Sequence, residues 1–382
     1  GRREGPFSTA HNCAIIVALF ERILAKREEL YTMQVTVYAK VENIGWVPQY
    51  FDLVGGPENA SPADFTLTVD QRGQKSEKSI TAVEPIPGGI RVVPEEFSYN
   101  QEFTLTGSGA AEGVSLTKKD VSNVEVEGMD KFVPLEGNGI HYRLYSPKAG
   151  GPRPLILFLH GGGESGSDNF MQMVGTVGAI RLAELYPEMY VMAPQAPAGK
   201  LPIGLPSAQT FAGSVQDPDS GWNRSYLAGV CDLIRKMIAE GQVDASRVYV
   251  TGMSMGGGGT LRALSVGSGL FAAAVPICPT MTPETFNILK SLVDTKIWVA
   301  AAYVDHTIYR HKYIVDGILA IKDAGNPDAH LTIFSPEELA EYGMGVDPQM
   351  PLVQRFSENH GCWSLVYSGE KGILDWMVTQ HQ

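Results

Sequence analysis

The first pattern along the chain is an alternation of polar and apolar positions between residues 34 and 127. It is clearest in four segments: Gln34–Glu42, Asp64–Val69, Glu102–Thr106 and Asn123–Glu127. A period of two indicates strands with one buried face, and turn-rich stretches such as Gly55–Asn59 separate them. We therefore predict an all-β sandwich domain over residues 33–127, and we find no catalytic constellation in it.

From residue 128 onward, continuous apolar strands alternate with amphipathic helices. The segment Pro154–Leu159 is apolar throughout, which indicates burial on both faces of a parallel sheet. Further strands are predicted at Met189–Met192, Val248–Thr251, Ala272–Ile277, Ile297–Tyr303 and Leu331–Phe334. Helices are predicted at Tyr226–Ala239, Gly259–Leu264 and Tyr313–Ala324. This order predicts a doubly wound, mostly parallel α/β sheet over residues 128–382, with its chemistry at the carboxyl ends of the strands.

Residues 1–32 form an N-terminal extension. The apolar run Cys13–Phe20 is too short to span a membrane, and Glu21 and Arg22 follow it where a cleavage site would stand. An amphipathic helix over residues 13–30 is the preferred interpretation, with a signal peptide or a cloning extension as alternatives. Because the chain opens with Gly, a secreted or periplasmic location is favoured over a cytoplasmic one.

Charge and cysteine content exclude several function classes. The formal net charge is -12 and no Lys/Arg cluster is present, so a nucleic-acid partner is not expected. No apolar run reaches the length of a membrane span. The four cysteines, Cys13, Cys231, Cys278 and Cys362, lack metal-ligand spacing, and we expect no metal and no organic cofactor.

The strongest chemical signal is Gly252-Met253-Ser254-Met255-Gly256, which follows a predicted strand and precedes a helix. In that context a Gly-x-Ser-x-Gly sequence is typical of a sharp turn that exposes a nucleophilic serine. Side chains at the two outer glycines would collide with neighbouring elements. We therefore predict that Ser254 is a catalytic nucleophile.

A second glycine-rich segment, His160-Gly161-Gly162-Gly163, directly follows the Pro154–Leu159 strand. Acyl transfer needs backbone N–H donors for an oxyanion, and glycines allow them to approach closely. We assign these donors to Gly162 and Met255, with Gly163 as the weaker candidate. His160 is expected to brace this loop.

The acid and the base should follow the serine along the chain, in that order. Asp305 is the best acid candidate, because it ends the strand predicted around Ile297–Tyr303. His360 is the best base candidate, because it follows the last strand and precedes a closing helix at Ile373–Val378. The other histidines beyond the acid are less well placed: His306, His311, His330 and His381.

These motifs resemble the two-domain bacterial carboxylesterases, which carry an N-terminal immunoglobulin-like domain before an α/β-hydrolase domain and are related to polyhydroxybutyrate depolymerase-like esterases. The residues that carry the resemblance are His160–Asn169, Ala193–Gln195, Gly252–Gly256, Ala274–Cys278, Ile297–Val299 and His360–Trp363. It implies an α/β-hydrolase fold, an immunoglobulin-like sandwich over residues 33–127, and a catalytic triad of Ser254, Asp305 and His360. The chain departs from the family at His306-Thr307 and Pro279-Thr280, which bears on substrate preference.

We therefore predict hydrolysis of short-chain acyl or aryl esters through an acyl-enzyme. Trp222, Phe211, Trp363 and Met255 are candidates to line the substrate site. The alternatives are a feruloyl or acetyl esterase acting on ester-bearing plant cell-wall polysaccharide and, more remotely, a non-catalytic binding protein. A disulfide between Cys278 and Cys362 and assembly into a homo-oligomer both stay open.

Overall fold

The computed structural model of the protein describes residues 33–42, 45–71, 73–198, 221–305, 308–349 and 351–382. The predicted N-terminal helix, Cys13, Phe211 and His306 lie outside these residues. The chain divides into two compact units. One contains the described residues through Lys40 together with Val47–Glu125, and the other contains Val41–Trp46 and Val126–Gln382.

The N-terminal part is rich in β-structure. Its strand orders are β5-β6-β2-β1-β9 in one sheet and β4-β3-β7-β8 in the other. The rings of Phe51 and Phe103, one from each sheet, lie 5.4 Å apart, and both are buried. The strands are β1 Gln34–Glu42, β2 Gly45–Val54, β3 Phe65–Gln71, β4 Gln74–Lys78, β5 Ile80–Ile86, β6 Gly89–Pro94, β7 Glu102–Gly107, β8 Ser115–Thr117 and β9 Asn123–Val126. The immunoglobulin-like assignment stays a prediction.

The second unit is built on an eight-stranded sheet with the order β10-β11-β13-β12-β14-β15-β16-β17. Strand β11 pairs antiparallel with both β10 and β13. All the other neighbouring strands, from β13 through β12 and β14 to β17, pair parallel. The fully buried run Leu155–Leu159 lies near the centre. The strands are β10 Phe132–Gly137, β11 Ile140–Tyr145, β12 Arg153–Leu159, β13 Tyr190–Pro194, β14 Val243–Met253, β15 Ala273–Ile277, β16 Ile297–Ala302 and β17 Ala329–Phe334.

The helices of this unit are amphipathic where they cover the sheet. In Arg224–Ala239, the Asn223 side chain caps the first turn by accepting the Tyr226 N–H at 2.8 Å, and Leu227, Ile234 and other apolar residues are buried on one face. The helices are α1 Met171–Val174, α2 Ala179–Leu185, α3 Arg224–Ala239, α4 Met255–Val266, α5 Pro283–Ser291, α6 Ile308–Asp323, α7 Pro336–Glu341, α8 Leu352–Asn359, α9 Trp363–Tyr367 and α10 Ile373–Val378. None of the helices within the described ranges is long and apolar enough to cross a bilayer.

Two predicted boundaries need correction. Helix α4 begins at Met255 rather than at Gly259, because tertiary packing of the glycines outweighs their poor helix propensity. His360 was expected on a loop, but it lies in the 3-10 turn His360–Cys362 that joins α8 to α9.

Candidate active site

Ser254 lies at the sharp turn between β14 and α4, with φ 56° and ψ -115°. This backbone conformation is strained for a residue with a side chain, and it persists only where the surroundings hold it. Both backbone groups of Ser254 are engaged: its N–H donates to the Ile277 carbonyl at 3.0 Å, and its carbonyl accepts from the Gly258 and Thr280 N–H groups at 3.1 and 2.8 Å. The end of β15 therefore helps to hold the turn.

The glycines around Ser254 are required by close packing. A Cβ at Gly252 would lie 2.6 Å from the Leu159 carbonyl oxygen, and one at Gly256 only 1.9 Å from it. At Gly259 a Cβ would lie 2.7 Å from the Trp222 ring. The first turn of α4 can approach β12 only because these side chains are absent.

The structure brings Ser254, His360 and Asp305 together in one hydrogen-bonded chain. His360 Nε2 lies 2.8 Å from Ser254 Oγ, and His360 Nδ1 lies 2.7 Å from Asp305 Oδ2. The neutral tautomer that satisfies both contacts carries its proton on Nδ1, donates to Asp305 and accepts the Ser254 hydroxyl hydrogen. Asp305 is 3% exposed, so little solvent competes for its carboxylate.

The two predicted oxyanion donors each open a helical turn. Met255 is the first residue of α4, and Gly162 is the first residue of the 3-10 turn Gly162–Glu164. The first amides of a helix have no carbonyl partner within it, and they favour negative charge. A Cβ added at Gly162 or Gly163 would meet nothing within 4 Å, so the space beside this loop is open.

His160 braces the loop, as expected. It is fully buried, its Nδ1 lies 2.6 Å from the Gly161 carbonyl oxygen, and its Nε2 accepts the Ala196 N–H at 2.9 Å. Burial lowers the pKa of His160 to about 4. The imidazole is therefore neutral near pH 7 and serves as a fixed hydrogen-bonding strut.

Glu164 was missed in the sequence. Its carboxyl group is buried beneath the loop and accepts the Thr176 hydroxyl hydrogen at 3.0 Å, while its carbonyl accepts from Gln195 Nε2. Burial raises the pKa of Glu164, although the Thr176 hydrogen bond opposes the shift. The only available signal was an acidic residue directly after three glycines.

Cys278 is a neighbour of the site whose contact with His360 was not predicted. It follows β15 with a positive φ of 35°, and its thiol donates to the His360 carbonyl oxygen at 3.4 Å. Burial and the Asp305 carboxylate act to raise the pKa of Cys278, but hydrogen bonding with Cys362 and the charge that His360 can carry lower it overall. Cys278 and Cys362 are both thiols in the structure, so the disulfide considered between them is not formed.

The candidate lining residues differ in outcome. Trp222 is 0% exposed, packs against the His160 ring at 4.8 Å, and donates its indole N–H to the His160 carbonyl. The lining prediction for Trp222 is therefore wrong, because its ring is part of the core. The half-buried Trp363 lies edge-on to His360, with ring centroids 5.3 Å apart, and Met255 is 7% exposed.

Comparisons with known proteins agree with this architecture. Residues 220–316 match the prolyl oligopeptidase family, a segment that contains Ser254 and Asp305. A thermostable esterase of known structure is similar over 91% of this chain and 100% of its own, with 22% identity and a TM-score of 0.62. That likeness concerns the fold.

Weaker structural matches include an esterase from the archaeon Pyrobaculum calidifontis, with 15% identity, 64% of this chain and 83% of its own covered, and a TM-score of 0.40. An S-formylglutathione hydrolase from Staphylococcus aureus has 14% identity, covers 65% of this chain and 96% of its own, and has a TM-score of 0.42. A comparison with curated protein sequences finds no match.

Proposed function

We propose that this serine hydrolase with an α/β-hydrolase-like fold cleaves carboxylic esters, with Ser254 as nucleophile, His360 as general base and Asp305 as the acid that orients it. The observation that carries the proposal is the continuous hydrogen-bonded chain from Ser254 Oγ through the imidazole to Asp305 Oδ2, with links of 2.8 and 2.7 Å. Covalent acyl transfer needs a nucleophile within hydrogen-bonding reach of a base, and a third group that orients the base.

In the first half-reaction, His360 Nε2 takes the Ser254 proton as Oγ attacks the ester carbonyl carbon. The carbonyl oxygen becomes an oxyanion and is stabilised by the N–H groups of Met255 and Gly162. His360, now an imidazolium, is stabilised by Asp305 and gives its proton to the departing alcohol. An acyl group remains bonded to Ser254.

In the second half-reaction, His360 removes a proton from water, and the water oxygen attacks the acyl-enzyme carbonyl. The same two N–H donors stabilise the second oxyanion. His360 then returns the proton to Ser254 Oγ, which frees the carboxylic acid and restores the enzyme. These steps use the chain's own groups throughout.

The substrates proposed are short-chain acyl or aryl esters, either free small molecules or esters linked to a polysaccharide. The ring of Trp363 beside His360 supports an apolar wall at the alcohol or acyl side. We also propose that residues 33–127 form an immunoglobulin-like domain. We propose further that the chain is related to polyhydroxybutyrate depolymerase-like esterases. Feruloyl or acetyl esters of plant cell walls form the alternative substrate class.

The test is labelling and turnover with a matched pair of serine variants. Wild type and Ser265→Ala should react with a fluorophosphonate probe and hydrolyse p-nitrophenyl butyrate, because Ser265 lies on α4 with its hydroxyl bonded to Arg224. Ser254→Ala should lose both properties by at least about a thousandfold. Undiminished labelling of Ser254→Ala would refute the nucleophile assignment, and an unlabelled wild type would favour the non-catalytic binding protein.

A substrate panel then separates the ester classes. Faster turnover of p-nitrophenyl butyrate than of methyl ferulate or acetylated xylan supports the small-ester proposal, and the reverse order supports the cell-wall alternative. A peptide p-nitroanilide belongs in the panel because of the prolyl oligopeptidase match. Preferential cleavage of that amide would contradict ester hydrolysis as the main activity.

A further inference from the structure

We propose that Cys278, Asp305 and His360 form a binding site for a soft divalent cation such as Zn²⁺ or Cd²⁺, and that its occupation inhibits the hydrolase. The inhibition rests on the proposed function, whereas the binding does not.

The three side chains come from separate elements that end at the same edge of the sheet. Cys278 follows β15, Asp305 follows β16, and His360 begins the turn after α8. One ligand atom from each, a thiol sulfur, a carboxylate oxygen and an imidazole nitrogen, lies within 4.8 Å of the others. Cys278 and Asp305 are buried, and His360 is partly exposed, so a cation would enter past the imidazole.

The distances are close to those of a tetrahedral site. With metal–ligand bonds of roughly 2.0 to 2.3 Å, neighbouring ligand atoms stand about 3.3 to 3.8 Å apart. The 2.7 Å contact between His360 Nδ1 and Asp305 Oδ2 would therefore widen by less than about 1 Å. Cys278 Sγ would approach by a similar amount, and water would complete the site.

The donor set suits a soft cation and balances its charge. Thiolate and imidazole ligands favour Zn²⁺ and its heavier relative Cd²⁺, whereas Mg²⁺ prefers oxygen ligands alone. Binding releases the Cys278 thiol proton to water. The thiolate and the Asp305 carboxylate then carry two negative charges against the two positive charges of the cation, which limits the penalty of burying charge.

Binding would abolish the general base through the tautomer of His360. Coordination at Nδ1 uses the nitrogen lone pair, so the imidazole proton moves from Nδ1 to Nε2. An Nε2–H group facing Ser254 Oγ donates a hydrogen bond and takes no proton from the serine. Asp305, engaged by the cation, no longer stabilises an imidazolium. Ester hydrolysis should therefore stop when the site fills.

The test is a Cd²⁺ titration followed in two ways: by the ultraviolet thiolate-to-cadmium charge-transfer band and by p-nitrophenyl butyrate hydrolysis. In wild type, the Cys278-dependent part of the band should saturate at one cation per chain while the rate falls by more than about tenfold. A chelator should restore the rate, and Mg²⁺ should have no effect.

Cysteine variants assign the site. Cys278→Ala and Cys278→Ser should lose this band and the inhibition, with each rate compared with the same variant's metal-free rate. Cys231→Ala is the matched control, because that thiol is buried in α3 away from the site, and it should behave as wild type. Cys362→Ala tests the neighbouring thiol and should also retain the band.

Two results would overturn the proposal: a band and inhibition that persist in both Cys278 variants, or no Cys278-dependent band in wild type. Failure of the proposed function looks different. In that case metal-free wild type would not hydrolyse the ester, while the band would still report whether the cation binds Cys278.

Discussion

The backbone strain at Ser254 predicts that removing its side chain altogether should stabilise the fold relative to alanine. The φ and ψ of 56° and -115° are the mirror image of an ordinary extended conformation, which glycine adopts freely and other residues do not. We compare Ser254→Gly with Ser254→Ala. Both lose the hydroxyl and its 2.8 Å contact with His360, so the comparison isolates the strain of a Cβ at positive φ.

The magnitude follows from two opposing terms. A residue held in such a region costs about 1–3 kcal/mol, which glycine recovers. Glycine also lowers the free energy of unfolding by about 0.5–1 kcal/mol, because the unfolded chain has more conformational freedom with glycine than with alanine. Ser254→Gly should therefore be more stable than Ser254→Ala by about 1 kcal/mol, or about 2–4 °C in the melting temperature.

Urea unfolding of the two inactive variants at neutral pH measures this difference without interference from turnover. The denaturant dependence should be equal in the two variants, so that the midpoint shift reflects stability. If Ser254→Gly were the less stable of the pair, the turn would not store strain. The nucleophile would then owe its position to packing alone.

Three further predictions concern residues around Ser254. Because the buried His160 has a pKa of about 4, below its usual 6.5, the unfolded chain binds a proton first as pH falls. The unfolding free energy should drop by about 3 kcal/mol between pH 6.5 and 4, and urea unfolding should show less of this loss in His160→Gln. Glu164→Ala should lower kcat about ten- to hundredfold by loosening the loop, with KM nearly unchanged. Glu164→Gln keeps the acceptor for Thr176 and should restore kcat. A kcat of Glu164→Ala equal to that of wild type would remove any positioning role for Glu164. Gly256→Ala should lower the free energy of unfolding by about 3 kcal/mol, because its Cβ would meet the Leu159 carbonyl oxygen at 1.9 Å. Gly162→Ala should change the free energy of unfolding by less than about 1 kcal/mol yet hydrolyse esters more slowly than wild type. Urea unfolding and kcat/KM measure both variants.

Two of the three side chains that the proposed mechanism uses could be predicted because they follow strands, and the third because it precedes the closing helix. Ser254 stands in a motif whose glycines are required by close contact with the neighbouring strand β12, and those contacts exist in the structure. Asp305 follows β16 and His360 precedes α10 in the order that an α/β-hydrolase sheet requires. The positions of these three residues could therefore be predicted from the order of the strands and from the apolar runs that mark each strand.

Contacts between distant segments could not be predicted in the same way. The Cys278 thiol and the His360 carbonyl are 82 positions apart, and no periodicity links them. Trp222 was mistaken for a lining residue because an aromatic near a catalytic motif has the same sequence pattern whether it faces a substrate or the core. Its 0% exposure depends on Gly259 and His160, which only the folded chain brings beside it.

The pairing of β12 with β14 sets Leu159 directly opposite Gly252. The loop that begins at His160 and the turn that holds Ser254 thus leave the sheet at the same height, and backbone pairing fixes their separation. Segments that follow strands farther along the sheet, such as the one that begins at Ser335 after β17, can vary in length or composition without altering that separation. Redesign for a new ester should therefore begin in such segments, since the pairing of β12 with β14 keeps the distance between the His160 loop and the Ser254 turn.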